Sequence, residues 1–237
     1  MTGKSRDGNF DEAPPVGVEE YDKAIRSFCG AYEEIFKLAY CCLKAGLPKR
    51  AKILVVGAGT GMEITEFGPL SPGWSFHGVD PSANMLSLAE KKISEKKVRN
   101  KIRLVQGYVD NLEDKEKFDG ATCILVMHFL KDDGAKLDLL KSINHRLKTD
   151  APLVLVDGCG RPGSRTFKKN LEVWKQYPII HGLKPDFIEK AFQKTVLKMV
   201  KFVPESRILE LLKEASFENI FKFYTGFLYS GWTAYKK

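Results

Sequence analysis

Residues Lys52–Ile64 read KILVVGAGTGMEI. A run of aliphatic side chains gives way to glycine at every second position, Gly57, Gly59 and Gly61, and a helical pattern then resumes in TGMEITEFG. An apolar run without alternation predicts a strand buried on both faces. Two physical reasons for the glycines compete. One is a tight turn that needs left-handed backbone; the other is a ligand that must come close to the backbone.

The alternation of periods continues outward from this stretch. WSFHGVD predicts a strand ending at Asp80, and SANMLSLAEKKISEKK a helix with Ser82 as N-cap. KIRLVQG and FDGATCILVM predict strands, DGAKLDLLKSINHRLK a helix, and APLVLVDG a further buried strand. Strands and helices in this order predict an α/β fold, a doubly wound parallel sheet with helices on both faces. Upstream, Ile25, Phe28, Tyr32, Ile35, Phe36, Ala39 and Leu43 recur at three- and four-residue steps, which predicts one long helix within 18–47, ended by Gly46 and Pro48. Downstream, 160–203 is mostly helical and aromatic. PESRILELLKEASF then predicts a helix with Pro204 at its start, and NIFKFYTGF and LYSGWTAYKK an antiparallel pair. The expected organisation is a flexible, polar N-terminus over 1–17 and a single domain over 18–237. Within that domain, 18–47 forms an N-terminal lid helix and 160–203 a helical substrate cap.

The chain of 237 residues carries a net charge of +8. Its lysines are dispersed along solvated helix faces, as in EKKISEKKVRNK, so nucleic acid is carried as an alternative partner only. Five cysteines, an odd number with no C-x-x-C, suit a reduced, cytoplasmic protein. The four histidines lack metal-ligand spacing, so no metal is expected. No run of 18 apolar residues and no apolar leader are visible, so no membrane partner is expected.

The glycine turn reads G-x-G-x-G, and Met62 stands where the third glycine of the dinucleotide pattern belongs, which favours S-adenosylmethionine over NAD. Asp80 ends the second strand, where a carboxylate can accept both ribose hydroxyls. Tyr108, Val109 and Asp110 follow the third strand and can flank an adenine. VMHFL follows the fourth and would face the methionine end.

On these residues the chain resembles the class I S-adenosylmethionine-dependent methyltransferases over Lys52–Gly158 and the C-terminal strand pair. The resemblance implies a Rossmann-like seven-stranded sheet of order 3-2-1-4-5-7-6, the last strand antiparallel, under a helical lid. It implies that Gly57, Gly59 and Gly61 cradle the methionine, that Asp80 holds the ribose, and that Gln106, Tyr108 and Val109 frame the adenine. Ala58, Pro81, Met85, Met127 and Arg26 complete the implied cofactor set. Val55 departs from the pattern, since an acidic residue usually stands there; the methionine amino group must find other partners, such as the Gly57 backbone or His128. YDKAIRSFCGAYEEI, with Tyr21, Asp22, Ile25, Arg26 and Tyr32, further resembles the subfamily of tRNA wobble-uridine carboxymethyl enzymes and carboxy-S-adenosylmethionine synthases. Gly30-Ala31 replaces the Pro-Gly of that subfamily, and its carboxylate-gripping arginine falls near Gln193–Lys194, so plain S-adenosylmethionine, with S-adenosylhomocysteine as product, is the expected cofactor.

The expected reaction is methyl transfer to a nitrogen, oxygen or carbon nucleophile of a small molecule by in-line displacement. His128, Tyr32 and Asp157 are the catalytic candidates, and Trp174, Tyr177 and His181 the acceptor-pocket candidates. No N-P-P-Y follows the fourth strand, which argues against methylation of exocyclic base amines in that style. The alternatives are a tRNA-modifying enzyme with a basic rim of Arg161, Arg165, Lys168, Lys169 and Lys184, and a non-catalytic cofactor-binding regulatory or partner protein. A homodimer is a further expectation.

Overall fold

The structure is a computed structural model describing residues 10–12, 17–113 and 116–237. The expectation of a flexible 1–17 falls mostly outside the described residues.

The chain order is α1 (Tyr21–Phe28), α2 (Tyr32–Gly46), β1 (Lys52–Val56), α3 (Met62–Leu70), β2 (Ser75–Asp80), α4 (Ala83–Glu95), β3 (Lys101–Gln106), β4 (Gly120–Ile124), α5 (Ala135–Arg146) and β5 (Pro152–Gly158). The cap follows as α6 (Arg165–Ile180), α7 (Pro185–Ala191), a π-helical turn and α8 (Leu197–Met199); α9 (Glu205–Glu214), β6 (Phe217–Gly226) and β7 (Tyr229–Lys236) close the chain. The seven strands form one sheet in the order β3-β2-β1-β4-β5-β7-β6, as expected. The first five are parallel, and β7 runs antiparallel to both β5 and β6.

The missing alternation in the central strands has its cause in burial. Every residue of β4 and β5 is buried, because α2, α3 and α4 pack on one face while α5 and α9 pack on the other. Ile53 and Val55 of β1 join the first core, and Leu54 and Val56 the second. At the sheet edge, β3 exposes Lys101 and Arg103, charges that blunt an edge against further pairing. Ser82 caps α4 as expected, its hydroxyl accepting the Met85 N–H at 3.0 Å.

The expected single helix over 18–47 is broken. A 3-10 turn and α1 are separated from α2 at Cys29–Ala31, where Ala31 is left-handed with φ 59°. The break is a tertiary effect. The β6–β7 turn sets the ring of Phe227 2.8 Å from where a Cβ on Gly30 would lie, and the Tyr224 hydroxyl donates to the Gly30 carbonyl at 2.9 Å. Periodicity ran across the break because Phe28 and Tyr32 still face inward together. Among the described residues no helix is long and apolar enough to cross a membrane.

Candidate active site

A cavity of about 740 Å³ opens where β1, β2 and β4 end. Ligand sites of doubly wound sheets lie outside these carboxyl ends. Both reasons for the alternating glycines hold there. Gly57, Gly59 and Gly61 all have positive φ, at 68°, 49° and 81°. A Cβ on Gly57 would lie 2.4 Å from a methyl of Val126, so something there would have to shift, and one on Gly61 3.1 Å from the Ala89 Cβ of α4, a tight fit. A Cβ on Gly59 would meet nothing closer than the Gly57 carbonyl at 3.8 Å. Gly59 lines the cavity, and the open space beside its backbone is room for a ligand. The turn is pinned to β2, since the Gly57 and Ala58 N–H groups both donate to the Val79 carbonyl, at 2.9 and 3.0 Å.

Asp80 lines the cavity at the end of β2. One carboxylate oxygen accepts the Gly59 N–H at 2.8 Å and the other the Ser82 N–H at 2.9 Å, which leaves lone pairs on both for a ligand. Burial holds its carboxyl above the usual aspartate range, against the lowering effect of these two amides. Ala58, Pro81, Met85, Tyr108 and Val109 line the same cavity, and Tyr32 lines its roof.

Other predicted residues stand elsewhere. Gly61 packs on α4 outside the wall. Gln106 is exposed, its amide donating to the Pro81 carbonyl at 3.4 Å. Met127 is fully buried in the core on the far face of the sheet. Leu125, left-handed with φ 58°, turns the chain after β4 so that Leu125, Val126 and Phe129 reach the cavity instead. A bulky leucine in that region of backbone space is a strain that neighbouring structure must hold. Arg26 lies behind Tyr32, its guanidinium 5.4 Å from the ring centroid, and donates to the Asp22 carbonyl at 2.7 Å.

The acceptor trio is not brought to the cavity. Trp174 is buried, its indole N–H donating to the Phe28 carbonyl at 2.6 Å and its ring edge-on to Phe192 and Tyr229. Tyr177 packs on His181 and on Phe227. The amphipathic α6 turns these aromatics onto the α1–α2 junction, so the cap braces the roof instead of lining it.

His128 and Asp157 meet beneath the wall. The His128 Nδ1 lies 3.3 Å from one Asp157 oxygen without hydrogen-bond alignment, and the Lys136 ammonium lies 3.7 Å from the other. Lys136 itself donates to the Met127 carbonyl at 2.9 Å. All three side chains are buried.

Sequence reasoning missed four contributors. Phe10 lines the cavity and stands edge-on to Tyr21 and Phe129. Tyr21 lines the wall, and Asp22 beside it accepts the Thr60 hydroxyl at 2.7 Å and pairs with Lys92, clamping α1 to the glycine turn. The signal for these two was present in the Tyr21-Asp22 pair of the N-terminal motif. Glu63 gave no signal, because it sits in what reads as an ordinary helix. It is 3% exposed, lines the cavity, and accepts the Thr122 hydroxyl at 3.4 Å. Burial pushes its carboxyl up to about 8.

A family profile described as a methyltransferase domain matches residues 54–153. A protein of Synechococcus named uncharacterized protein syc1184_c is 30% identical over 105 residues, which is 44% of this chain and 25% of that protein. The chain thus spans about a quarter of the length of that curated relative. Among solved structures, magnesium protoporphyrin IX methyltransferase of Synechocystis, with bound S-adenosylhomocysteine, aligns at TM-score 0.65 and 14% identity, covering 93% of this chain and 94% of that one. An O-methyltransferase family 2 protein of Planctomyces limnophilus, in complex with apigenin, aligns at TM-score 0.65 and 14% identity over 95% of this chain and 64% of that one. YcgJ of Bacillus subtilis aligns at TM-score 0.58 and 20% identity over 81% and 71%. Identities this low speak for the fold. Residues 54–153 match a methyltransferase domain, and the chain has the fold that these solved structures share.

Proposed function

We propose that the protein transfers the methyl group of S-adenosylmethionine to a nitrogen, oxygen or carbon nucleophile of a small molecule held in this cavity. The observation that carries the reading is the open backbone at Gly59, which faces a cavity of about 740 Å³ and has the Asp80 carboxylate beside it on the same wall. A flexible, hydroxyl-bearing nucleoside ligand fits that donor set. Gly57, Ala58 and Gly59 would receive the methionine portion, Asp80 the ribose, and Pro81, Tyr108 and Val109 the adenine. When bound, the cofactor supplies an activated methyl group on sulfonium, so the protein has mainly to align and desolvate.

The chain's own residues serve those two tasks. Tyr21, Tyr32 and Phe10 roof the cavity and exclude water, and the Asp22 clamp to Thr60 and Lys92 fixes that roof to the cofactor turn. His128 and Asp157 are buried beneath the wall and are not among the residues that line the cavity, so neither of them carries a proton in this reading. Five carboxylates and one lysine line the cavity of a protein whose net charge is +8. That balance supports a small neutral or cationic acceptor over a polyanion such as tRNA.

Incubation of the purified protein with methyl-labelled S-adenosylmethionine and separate panels of amines, phenols, carboxylic acids and bulk tRNA tests the reading. Label on a small molecule is the expected result. Label on tRNA would replace it with the wobble-uridine reading, and cofactor binding without transfer to any panel with the non-catalytic one.

A further inference from the structure

Glu63 is a buried carboxylate at the cavity wall, and among the described residues no cation pairs with it. The groups that act on it are burial, its own backbone amide, the Thr122 hydroxyl and the Asp80 carboxylate. Lys131, the one basic residue among the described lining, follows β4 after Phe129 and Leu130 and is not among the groups that act on Glu63. Arg26 is taken up by Glu33, the Asp22 carbonyl and the Met62 sulfur, and its guanidinium lies 5.4 Å from the Tyr32 ring centroid. A buried carboxylate without a partner costs several kcal/mol when ionised, and proteins avoid that cost by protonation or by a counter-cation.

The surroundings of Glu63 suit a cation. Tyr21 and Tyr32 line the same wall, close enough that the Glu63 charge raises both phenols, after burial as the main cause. Aromatic faces with a carboxylate form a receptor for alkylammonium groups. The carboxylate also sits beside Val55. Thr122, its hydroxyl donor, is the β4 residue in register with Val55 on β1, and both side chains lie on the α3 face of the sheet. The strand itself places no charge there, so the helix residue supplies the only carboxylate at that point of the wall among the described residues.

We infer that Glu63, flanked by Tyr21 and Tyr32, is the counter-charge for an ammonium group of the bound ligand. Two sources carry this chemistry: the α-ammonium of the cofactor and the amine of an acceptor. The inference rests on the methyltransferase reading only for the identity of these bearers.

Calorimetry on the wild type and Glu63→Gln, which keeps the shape and hydrogen bonding of the neutral acid, separates them with three probes. These are S-adenosylhomocysteine, 5′-methylthioadenosine, which lacks the amino-acid portion, and n-butylamine. If the cofactor supplies the ammonium, Glu63→Gln weakens S-adenosylhomocysteine by tenfold or more and leaves 5′-methylthioadenosine unchanged; the latter also reports that the variant is folded. If an acceptor supplies it, both nucleosides bind the variant as they bind the wild type, and n-butylamine binding is lost. Butylamine binding that depends on Glu63, in a protein that binds neither nucleoside, would keep the ammonium site and overturn the methyltransferase reading. Equal affinities of wild type and variant for every probe would overturn the ammonium site.

Discussion

The strand–glycine–helix unit and the roof over it were built under different rules. From β1 to β5 the chain follows local pattern: buried runs make strands, glycines mark the turn, and Asp80 ends the second strand at the site. The roof obeys contacts from far along the chain. Gly30 yields to Phe227, Phe28 is held by Trp174, and Asp22 reaches Thr60 and Lys92. The difference teaches that the glycine-turn wall of the cavity is written locally and its roof non-locally.

The sharpest way to break that comparison is within the glycine turn itself. Gly59→Val fills the open space beside the ligand path, and S-adenosylhomocysteine binding should fall at least 100-fold, while the left-handed backbone costs about 1–2 kcal/mol of stability. Gly57→Val adds a clash with Val126 to the same backbone cost, so its loss should appear first in thermal or denaturant unfolding. Equal stability of the two variants would show that packing does not distinguish them. Next in size, Asp80→Ala should weaken S-adenosylhomocysteine by roughly 10- to 100-fold by titration, about 1.4–3 kcal/mol. It also orphans the Gly59 and Ser82 amides, so Asp80→Asn, which can still accept one of them, should lose less.

Glu63 sharpens the comparison through pH. Its carboxyl is raised from 4.5 to about 8 in the folded protein. Between these values the native state holds a proton that the unfolded state has released, so stability falls as pH rises through the window, by up to about 1.4 kcal/mol per unit. The titratable groups that face it are Asp80 from β2, Tyr21 from α1 and Tyr32 from α2, and its charge also reaches Cys123 on the other face of β4. Asp80 is raised too and leaves a residual slope in Glu63→Gln, which should otherwise be flatter in denaturant titrations from pH 5 to 8. Identical slopes would place the Glu63 proton elsewhere. Smallest of all, Trp174→Phe keeps the ring but removes the donor to Phe28, and should cost about 1 kcal/mol of stability with under threefold change in S-adenosylhomocysteine affinity. A large loss of affinity would mean that the cap touches the ligand directly.

The sequence by itself determined the sheet, its strand order through the resemblance, and the placement of Gly57, Gly59, Asp80, Tyr108 and Val109 at one cavity. Those features depend on periodicity and on residues at strand ends, which act within a few positions of themselves. Only the tertiary structure decided the rest. It broke the long N-terminal helix at Ala31, moved Trp174, Tyr177 and His181 from the wall to the brace behind it, and put Leu125 and Phe129 where Met127 was expected. It also turned Glu63, one of the two acids of α3, into a buried carboxylate on the cavity wall. Which way a helix faces, and what a side chain has for a neighbour, depends on residues a hundred positions away; no window of local pattern holds that information.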